Sequence, residues 1–138
     1  MFTAPEASGP WSDGVVLAGI SGIDPDLAWD SDGTAYVTFA DFGQGILQAA
    51  VDLGTGEVLE TPRQIWSGSG LLAPEGPHLY HRGDLWYLLI AEGGTERGHA
   101  VMQRRRIHRA GANAITANAA LHVVGRNALG HADDRRLG

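Results

Sequence analysis

Hydrophobic and polar positions along the first hundred residues follow the pattern of short β-strands separated by turns. The strand-like runs are rich in β-branched, aromatic and alternating apolar residues: Asp26–Asp30, Thr34–Ala40, Ile46–Leu53 and Arg63–Gly68. Short Gly- and Asp-containing segments such as Ser31–Gly33 separate the runs and are typical of tight turns. The pattern predicts four short antiparallel strands joined as one meander.

A second series of strand-like runs begins after residue 74. Its members are Pro77–Arg82, Leu85–Gly93 and Gly98–Gln103. Leu27 in the first series matches Leu79 in the second, and Tyr36 matches Tyr87 in the same way. A four-stranded sheet repeated after roughly 50 residues favours the blades of a β-propeller. The alternative is a β-sandwich in which the two meanders are similar only in appearance.

The number of blades in the chain is small. A closed propeller has at least four blades, and the chain of 138 residues offers about two, preceded by Trp11–Ile20 as the end of an earlier blade. Two blades cannot close a ring or cover their edge strands. The predicted fold class is therefore all-β: a partial five-bladed β-propeller of about two blades, with a C-terminal tail of uncertain structure.

Composition excludes several classes of function. The chain is 43% hydrophobic and 19% charged and contains no cysteine, which indicates a globular domain without disulfides or thiolate chemistry. The net charge of −6 disfavours a nucleic-acid partner. We expect no membrane partner, because no apolar run approaches the length of a bilayer span. The first residues lack the pattern of a signal peptide. The sequence does not distinguish a cytoplasmic from a secreted protein, and it does not predict an oligomeric state.

Charge divides the chain into two parts. Residues 1–101 hold 14 acidic residues and three Arg, a balance of −11, whereas residues 102–138 hold two Asp and seven Arg, a balance of +5. Every aromatic residue precedes residue 88. We therefore predict a partial propeller over residues 1–101 and an atypical Arg- and Ala-rich tail over residues 102–138.

Two carboxylates occupy matching positions in the two repeated units. Asp24 and Glu75 both lie next to Pro or Gly, just before the first strand of each unit. That strand is the innermost one of a propeller blade, so the two acids are expected to converge on one pocket. Paired carboxyl groups in a concave site are what glycoside hydrolysis requires. The alternative is that each acid merely stabilises a turn.

Three further acids, Asp26, Asp30 and Asp32, are interpreted as turn and surface residues. Their spacing does not match an EF-hand loop. Binding of a structural calcium ion near these residues is left as an alternative, and no other metal or cofactor is expected.

Several motifs together resemble one enzyme family. The segments GIDPDLAWDSDGTAYVTF, EGPHLY and YLLIAEGGTERGHAV, with the later GHAD, resemble glycoside hydrolase family 43 in its β-xylosidase and α-L-arabinofuranosidase branch. The resemblance covers roughly Trp11–Val101. It implies a five-bladed β-propeller that hydrolyses glycosidic bonds with inversion, acting on xylose- or arabinose-containing plant carbohydrates.

The resemblance also implies roles for individual residues. Glu75 of EGPH corresponds to the general acid, and Asp24 of IDPD to the residue that tunes the pKa of the acid and helps to orient it. His131 of LGHAD resembles a substrate-site histidine, whereas His99 is interpreted as a structural residue at a strand end. The family's general base, an Asp in a first-blade motif, has no counterpart before Trp11. The alternative function is therefore a truncated, non-catalytic fragment or a carbohydrate-binding propeller that lacks the base.

The tail departs from the family pattern directly after Val101. One explanation is a slip of the reading frame in a GC-rich gene, which the exclusive use of Arg as basic residue would fit. The other explanation is a genuine Ala- and Arg-rich helix over Ala110–Leu129, although Gly111 and several Asn weaken it.

Overall fold

The computed structural model describes residues 1–94, 100–107 and 122–123. These ranges form eight strands: β1 Ile23–Trp29, β2 Ala35–Asp41, β3 Gly45–Val51, β4 Arg63–Trp66, β5 Glu75–Arg82, β6 Leu85–Glu92, β7 Ala100–Ile107 and β8 His122–Val123. No helix occurs in the described ranges, so they contain no long apolar helix of the kind that crosses a bilayer.

The strands form two separate antiparallel sheets. The first sheet has the order β1-β2-β3-β4 and the second has the order β5-β6-β7-β8. In both, strands that follow one another in the chain are neighbours in the sheet, as in the predicted meanders. We call these sheets the first and second blade. The prediction of all-β structure in two repeated antiparallel meanders is confirmed, and the fourth strand of the second sheet, β8, comes from the segment predicted as a tail.

The two blades share the same pairing register at their inner strands. Leu27 pairs with Val37 in the first blade, and Leu79 pairs with Leu88 in the second. A register shift interrupts each inner pair near its beginning, between Ile23 and Asp26 in one blade and between Glu75 and His78 in the other. The repeat predicted from the sequence therefore includes the register shift, which occurs at the same place in β1 and β5.

Two hydrophobic cores hold the described part of the chain together. One core lies between the blades and contains Ala40, Ile46, Ile65, Trp66, Leu88, Ile90 and Met102. The other lies on the far face of the first blade and contains Ala35, Val37, Phe39, Leu47, Ala49 and Val51. Residues of β2 and β3 alternate between these cores because successive side chains of a strand point to opposite faces.

The N-terminal segment covers the far face of the first blade without forming a strand. Leu17 and Ile20 pack against the core of that face. The terminal ammonium of Met1 donates to the Val15 carbonyl at 2.6 Å, and the Val15 N–H donates back to the Met1 carbonyl at 2.8 Å. Residues 1–22 contain no strand. The predicted place of Trp11–Ile20 at the end of an earlier blade stays a prediction.

The strand β7 passes through the position where the composition changes. It runs from Ala100 to Ile107, so that Met102 lies in the core between the blades. The Arg104 guanidinium lies 5.7 Å from the centroid of the Trp66 ring, at cation–π distance. The first residues of the basic tail are thus part of the fold. Within the predicted helix Ala110–Leu129, the residues His122–Val123 form the short strand β8, and the rest of that range lies outside the described residues.

Candidate active site

Carboxylates of the first blade bind backbone groups of the second at the point where their inner strands meet. Asp24 Oδ2 accepts a hydrogen bond from the Gly76 N–H at 3.1 Å, and Asp26 Oδ2 accepts one from the Leu79 N–H at 2.8 Å. Hydrogen bonds to an ionised carboxylate are stronger than neutral ones. The two bonds therefore fix the first residues of β5, which begins at Glu75, against β1.

The register of the blades shows which residues are equivalent. Asp24 and Gly76 both adopt a positive φ, +51° and +56°, within the matching irregularities of β1 and β5. Asp tolerates this conformation better than most residues, and glycine adopts it freely. Glu75 is therefore equivalent to Ile23, because each pairs with an Ala of the next strand. The sequence comparison, which matched Asp24 with Glu75, was wrong by one residue.

The two acids nevertheless line one cavity. A depression of about 430 Å³, open to solvent, is bounded by Asp24, Pro25, Glu75, Gly76, His78 and Ala91. Both acids also begin their strands rather than preceding them: Glu75 is the first residue of β5 and Asp24 the second of β1. The predicted convergence of Asp24 and Glu75 on one pocket is thus present in the geometry.

The two histidines of β5 have different surroundings. His78 lines the cavity with both acids, and its Nδ1 lies 3.4 Å from Asp26 Oδ1. His81 instead stacks on the Trp86 ring, with 4.6 Å between ring centroids. Of the two residues, His78 is the one that faces the candidate site.

A second cavity of about 390 Å³ adjoins the first, with Glu75 at the border of both. Its lining is largely apolar and includes Ile23, Leu71, Leu72, Pro74 and Phe42. The Phe42 side chain stands at the turn between β2 and β3 and is 81% exposed. An exposed aromatic ring beside a carboxylate offers a flat apolar surface of the kind that ligand sites use.

The remaining acids of the first blade have structural roles. Asp30 Oδ1 accepts the Ser31 N–H at 2.7 Å, and Asp32 Oδ1 accepts the Thr34 N–H at 2.9 Å. The backbone N–H of Thr34 lowers the pKa of the Asp32 carboxyl below its ordinary value. Both residues thus stabilise the β1–β2 turn, as predicted, whereas Asp26 does not, because it bridges the blades. Within the described ranges no group of three or more His, Asp or Glu residues could hold a metal ion.

Sequence reasoning missed some polar residues near the site and could not place others. Asp26 was interpreted as a turn residue because its contacts join strands more than 50 residues apart in sequence, and for the same reason the sequence could not decide which of His78 and His81 faces the site. Glu92 was passed over although it belongs to the quoted segment AEGGT, where a carboxylate directly ends an apolar strand. His131 and His99 lie outside the described residues, so the predicted substrate role of His131 stays a prediction.

Residues 1–122 match the sequence model of the family described as Glycosyl hydrolases family 43. The chain belongs to this family. The match continues past Val101, where the motif resemblance had ended, and includes the strand β7.

Similar curated proteins carry the names of glycosidases. The chain is 38% identical to a xylan 1,3-beta-xylosidase of Vibrio over 116 residues, which covers 78% of this chain and 22% of that protein. It is 40% identical to a non-reducing end alpha-L-arabinofuranosidase of Bacteroides ovatus, covering 75% of this chain and 20% of the relative. The chain thus spans about a fifth of the length of the curated relatives it matches.

Solved structures confirm the architecture. The GH43 BlXynB protein of Bacillus licheniformis superposes with a TM-score of 0.70 at 32% identity, over 80% of this chain and 21% of that one. The xylan beta-1,4-xylosidase of Bacillus halodurans gives a TM-score of 0.69 at 30% identity, over 89% and 23%. The chain is therefore part of a family 43 β-propeller, and its two sheets are two blades of it.

Proposed function

We propose that this chain supplies the general acid, Glu75, of a glycoside hydrolase that acts on xylose- or arabinose-containing plant carbohydrates. The observation that carries the proposal is the cavity between the inner strands, where Glu75 and Asp24 meet inside the EGPH and IDPD segments. Support for the substrate class comes from the relatives, which are named for xylosidase and arabinofuranosidase activities.

The proposed chemistry is proton transfer to the leaving group. Glu75, in its protonated form, donates a proton to the glycosidic oxygen while the bond to the anomeric carbon breaks, and water attacks that carbon from the opposite face. Asp24 fixes the backbone directly after Glu75 through its hydrogen bond with the Gly76 N–H. Acid–base hydrolysis by carboxyl groups and water requires no cofactor, and none is proposed.

The adjoining apolar cavity suits the part of the substrate beyond the cleaved bond. It meets the first cavity at Glu75, and it presents Phe42 and the apolar side chains of Leu71 and Leu72. The apolar faces of sugar rings stack well on such a surface. Inversion of the anomeric centre further requires a carboxylate base, which takes the proton that the attacking water loses.

The test uses a full-length family member that carries the same EGPH segment, with the glutamate matching Glu75 changed to Gln. We expect the rate on glycosides with poor leaving groups to fall about 10²- to 10⁴-fold, because protonation of the leaving oxygen is lost. Activated aryl glycosides, which leave without protonation, should retain much of their rate. Equal losses on both substrate types would overturn the acid role of Glu75.

The competing function is that of a chain without catalytic activity, because the general base of the family has no recognised counterpart in it. Assay of the purified chain on nitrophenyl xyloside and nitrophenyl arabinofuranoside distinguishes the two. Clear turnover of these activated glycosides by the parent chain would exclude the non-catalytic alternative. On an unactivated xylo-oligosaccharide, Glu75→Gln should then lose most of the rate, whereas the matched change of the exposed Glu57 to Gln should preserve it. Sugar binding that is indifferent to Glu75→Gln would instead favour a binding propeller.

A further inference from the structure

The connector between the two blades leads directly to Glu75. It comprises residues 67–74 and contains no strand. Gly68 and Gly70 have positive φ, and so does the non-glycine residue Ala73, at +53°. A non-glycine residue such as Ala73 keeps this conformation only where surrounding groups hold it in place. The position of Glu75 therefore depends on what anchors the connector.

Glu92 provides such an anchor. This last residue of β6 is 0% exposed. Its Oε1 accepts the Ser69 N–H at 2.7 Å, and its Oε2 accepts the Ser69 hydroxyl. A buried carboxylate is costly unless it is hydrogen-bonded, and here both oxygens are. The adjacent Gly93 N–H donates to the Leu72 carbonyl at 2.7 Å, which adds a backbone bond to the same connector.

The packing around this carboxylate is close. A Cβ atom added at Gly68 would collide with Glu92 Oε1, so the connector can approach only because that residue is glycine. Ala91, one position earlier on β6, pairs with Glu75 and lines the cavity. Neighbouring residues of a strand face opposite sides. The end of β6 therefore contacts the site through Ala91 and the connector through Glu92.

We propose that Glu92 is a positioning residue for Glu75. By holding Ser69, it fixes the path of the connector and thereby the place of the carboxyl group at the connector's end. The structural part of this proposal stands on the contacts alone, whereas its catalytic consequence rests on the proposed role of Glu75 as general acid. Misplacement of a reacting group by about 1 Å lowers rates by roughly a hundredfold, so a loose connector should impair proton donation.

The first experiment measures amide hydrogen exchange in this chain, at Ser69 and Gly93. Glu92→Ala should speed exchange at both amides by roughly tenfold or more. Ser69 loses its bond to the carboxylate, and Gly93 loses protection because the released connector carries its acceptor, the Leu72 carbonyl. Glu92→Gln keeps an oxygen acceptor and offers N–H groups to the Ser69 hydroxyl, so exchange should stay near that of the parent chain. Unchanged exchange in a folded Glu92→Ala chain would overturn the anchor.

The matched control is Glu60→Ala. Glu60 Oε1 also accepts a backbone N–H, from Ala50 at 3.1 Å, but Glu60 lines neither cavity. This variant should leave exchange at Ser69 and Gly93 unchanged, and faster exchange there would contradict a specific anchor. If Glu92→Ala does not fold, Ser69→Ala removes only the hydroxyl bond and should accelerate exchange at Gly93 to a smaller degree. No acceleration in that variant would then overturn the anchor.

The second experiment separates positioning from general stability in a full-length family member with the same EGPH and AEGG segments. The alanine variant of the residue matching Glu92 should lose at least roughly tenfold more kcat on glycosides with poor leaving groups than on activated ones. The Gln variant should restore the rate. Equal loss on both substrates would overturn positioning. The Gln variant at the Glu75 position should show the same difference between the two substrate types. If it does not, the proposed acid role of Glu75 fails, and the hydrogen-exchange result then tests only the anchoring of the connector by Glu92.

Discussion

The two blades repeat one backbone but carry different chemistry on it. At the matching irregularity of the inner strand, the first blade has Asp24 and the second has Gly76, both with positive φ. The carboxylate of the second blade stands one residue earlier, at Glu75. Because of this difference the two acids have separate roles. Asp24 binds backbone of the neighbouring blade, whereas Glu75 stands at the border of both cavities.

The blades also differ in how their faces are covered. The middle strand β3 of the first blade is buried along its whole length, because the N-terminal segment covers one face and the second blade covers the other. In β6 of the second blade, buried and half-buried residues alternate from Leu88 to Glu92. Only the face toward the first blade is fully covered within the described residues. The first blade should therefore contribute more stability for each apolar side chain.

The largest expected effect tests this contrast in burial. Leu47→Ala in β3 should lower the free energy of unfolding by about 2–5 kcal/mol, because Leu47 is packed in the far core of the first blade. Leu89→Ala in β6 should cost about half of that or less, since the half-buried side chain loses fewer contacts. Urea unfolding of the two variants measures the difference. Equal losses would show that the exposed face of the second blade is covered in solution.

A smaller effect tests whether the two inner strands share one backbone. Gly76→Asn should cost about 1 kcal/mol or less, because Asp24 adopts the same conformation in the first blade and Asn tolerates it equally. Gly76→Val should cost about 2 kcal/mol or more, since a β-branched side chain opposes a positive φ. A Cβ at this position meets no atom within 4 Å, so the difference reports backbone strain alone. Similar losses would contradict the equivalence of Asp24 and Gly76.

The smallest effect concerns the hairpin turns of the inner strands. The first blade closes its turn with Asp32, whose pKa is lowered by the Thr34 N–H, and the second closes it with Gly83 at a positive φ of +60°. A lowered pKa stabilises the fold above the ordinary value near 3.8 and the contribution disappears as the pH falls through the folded value. Asp32→Asn should therefore lower the urea midpoint slightly at about pH 6, and the difference from the parent chain should shrink as the pH falls below the ordinary value near 3.8.

Asp84→Asn in the turn of the second blade serves as the control for that measurement. It changes the same chemical group in the equivalent hairpin, where glycine rather than a carboxylate shapes the backbone. Because glycine shapes this turn, we expect Asp84→Asn to change the urea midpoint little across the same pH range. If the urea midpoint changed with pH equally in both variants, the cause would be the net charge of the chain and not the hydrogen bond in the Asp32 turn.

Much of the fold was predictable because it is local. The β2–β3 hairpin, closed by the turn between Asp41 and Gly45, depends on apolar alternation and on glycine between nearby residues. The bounds of β5 and β6 agree closely with the predicted runs for the same reason. The packing of the segment Trp11–Ile20 on the first blade was not predictable, because apolar residues next to one another, such as Val15 and Val16, do not reveal which sheet face they will cover.

The site was predictable in part. The EGPH segment identified Glu75 and the IDPD segment identified Asp24, since each stands in a specific motif with Pro and Gly. The sequence could not show that Asp26 bonds to Leu79 or that Glu92 lies buried against Ser69, because both pairs are distant along the chain. The alternation of side chains along a strand does not reveal a shift in pairing register. The sequence therefore could not show that Asp24 is equivalent to Gly76 and not to Glu75.

The sequence by itself determined the all-β class, the two repeated meanders, the family and the two acids of the candidate site. These follow from local patterns and from short motifs that survive without knowledge of the packing. Only the tertiary structure decided that Asp24 is equivalent to Gly76, that Asp26 joins the blades and that Glu92 anchors the connector. Such facts depend on which strands lie side by side, and that arrangement is set by the burial of apolar faces across the whole domain.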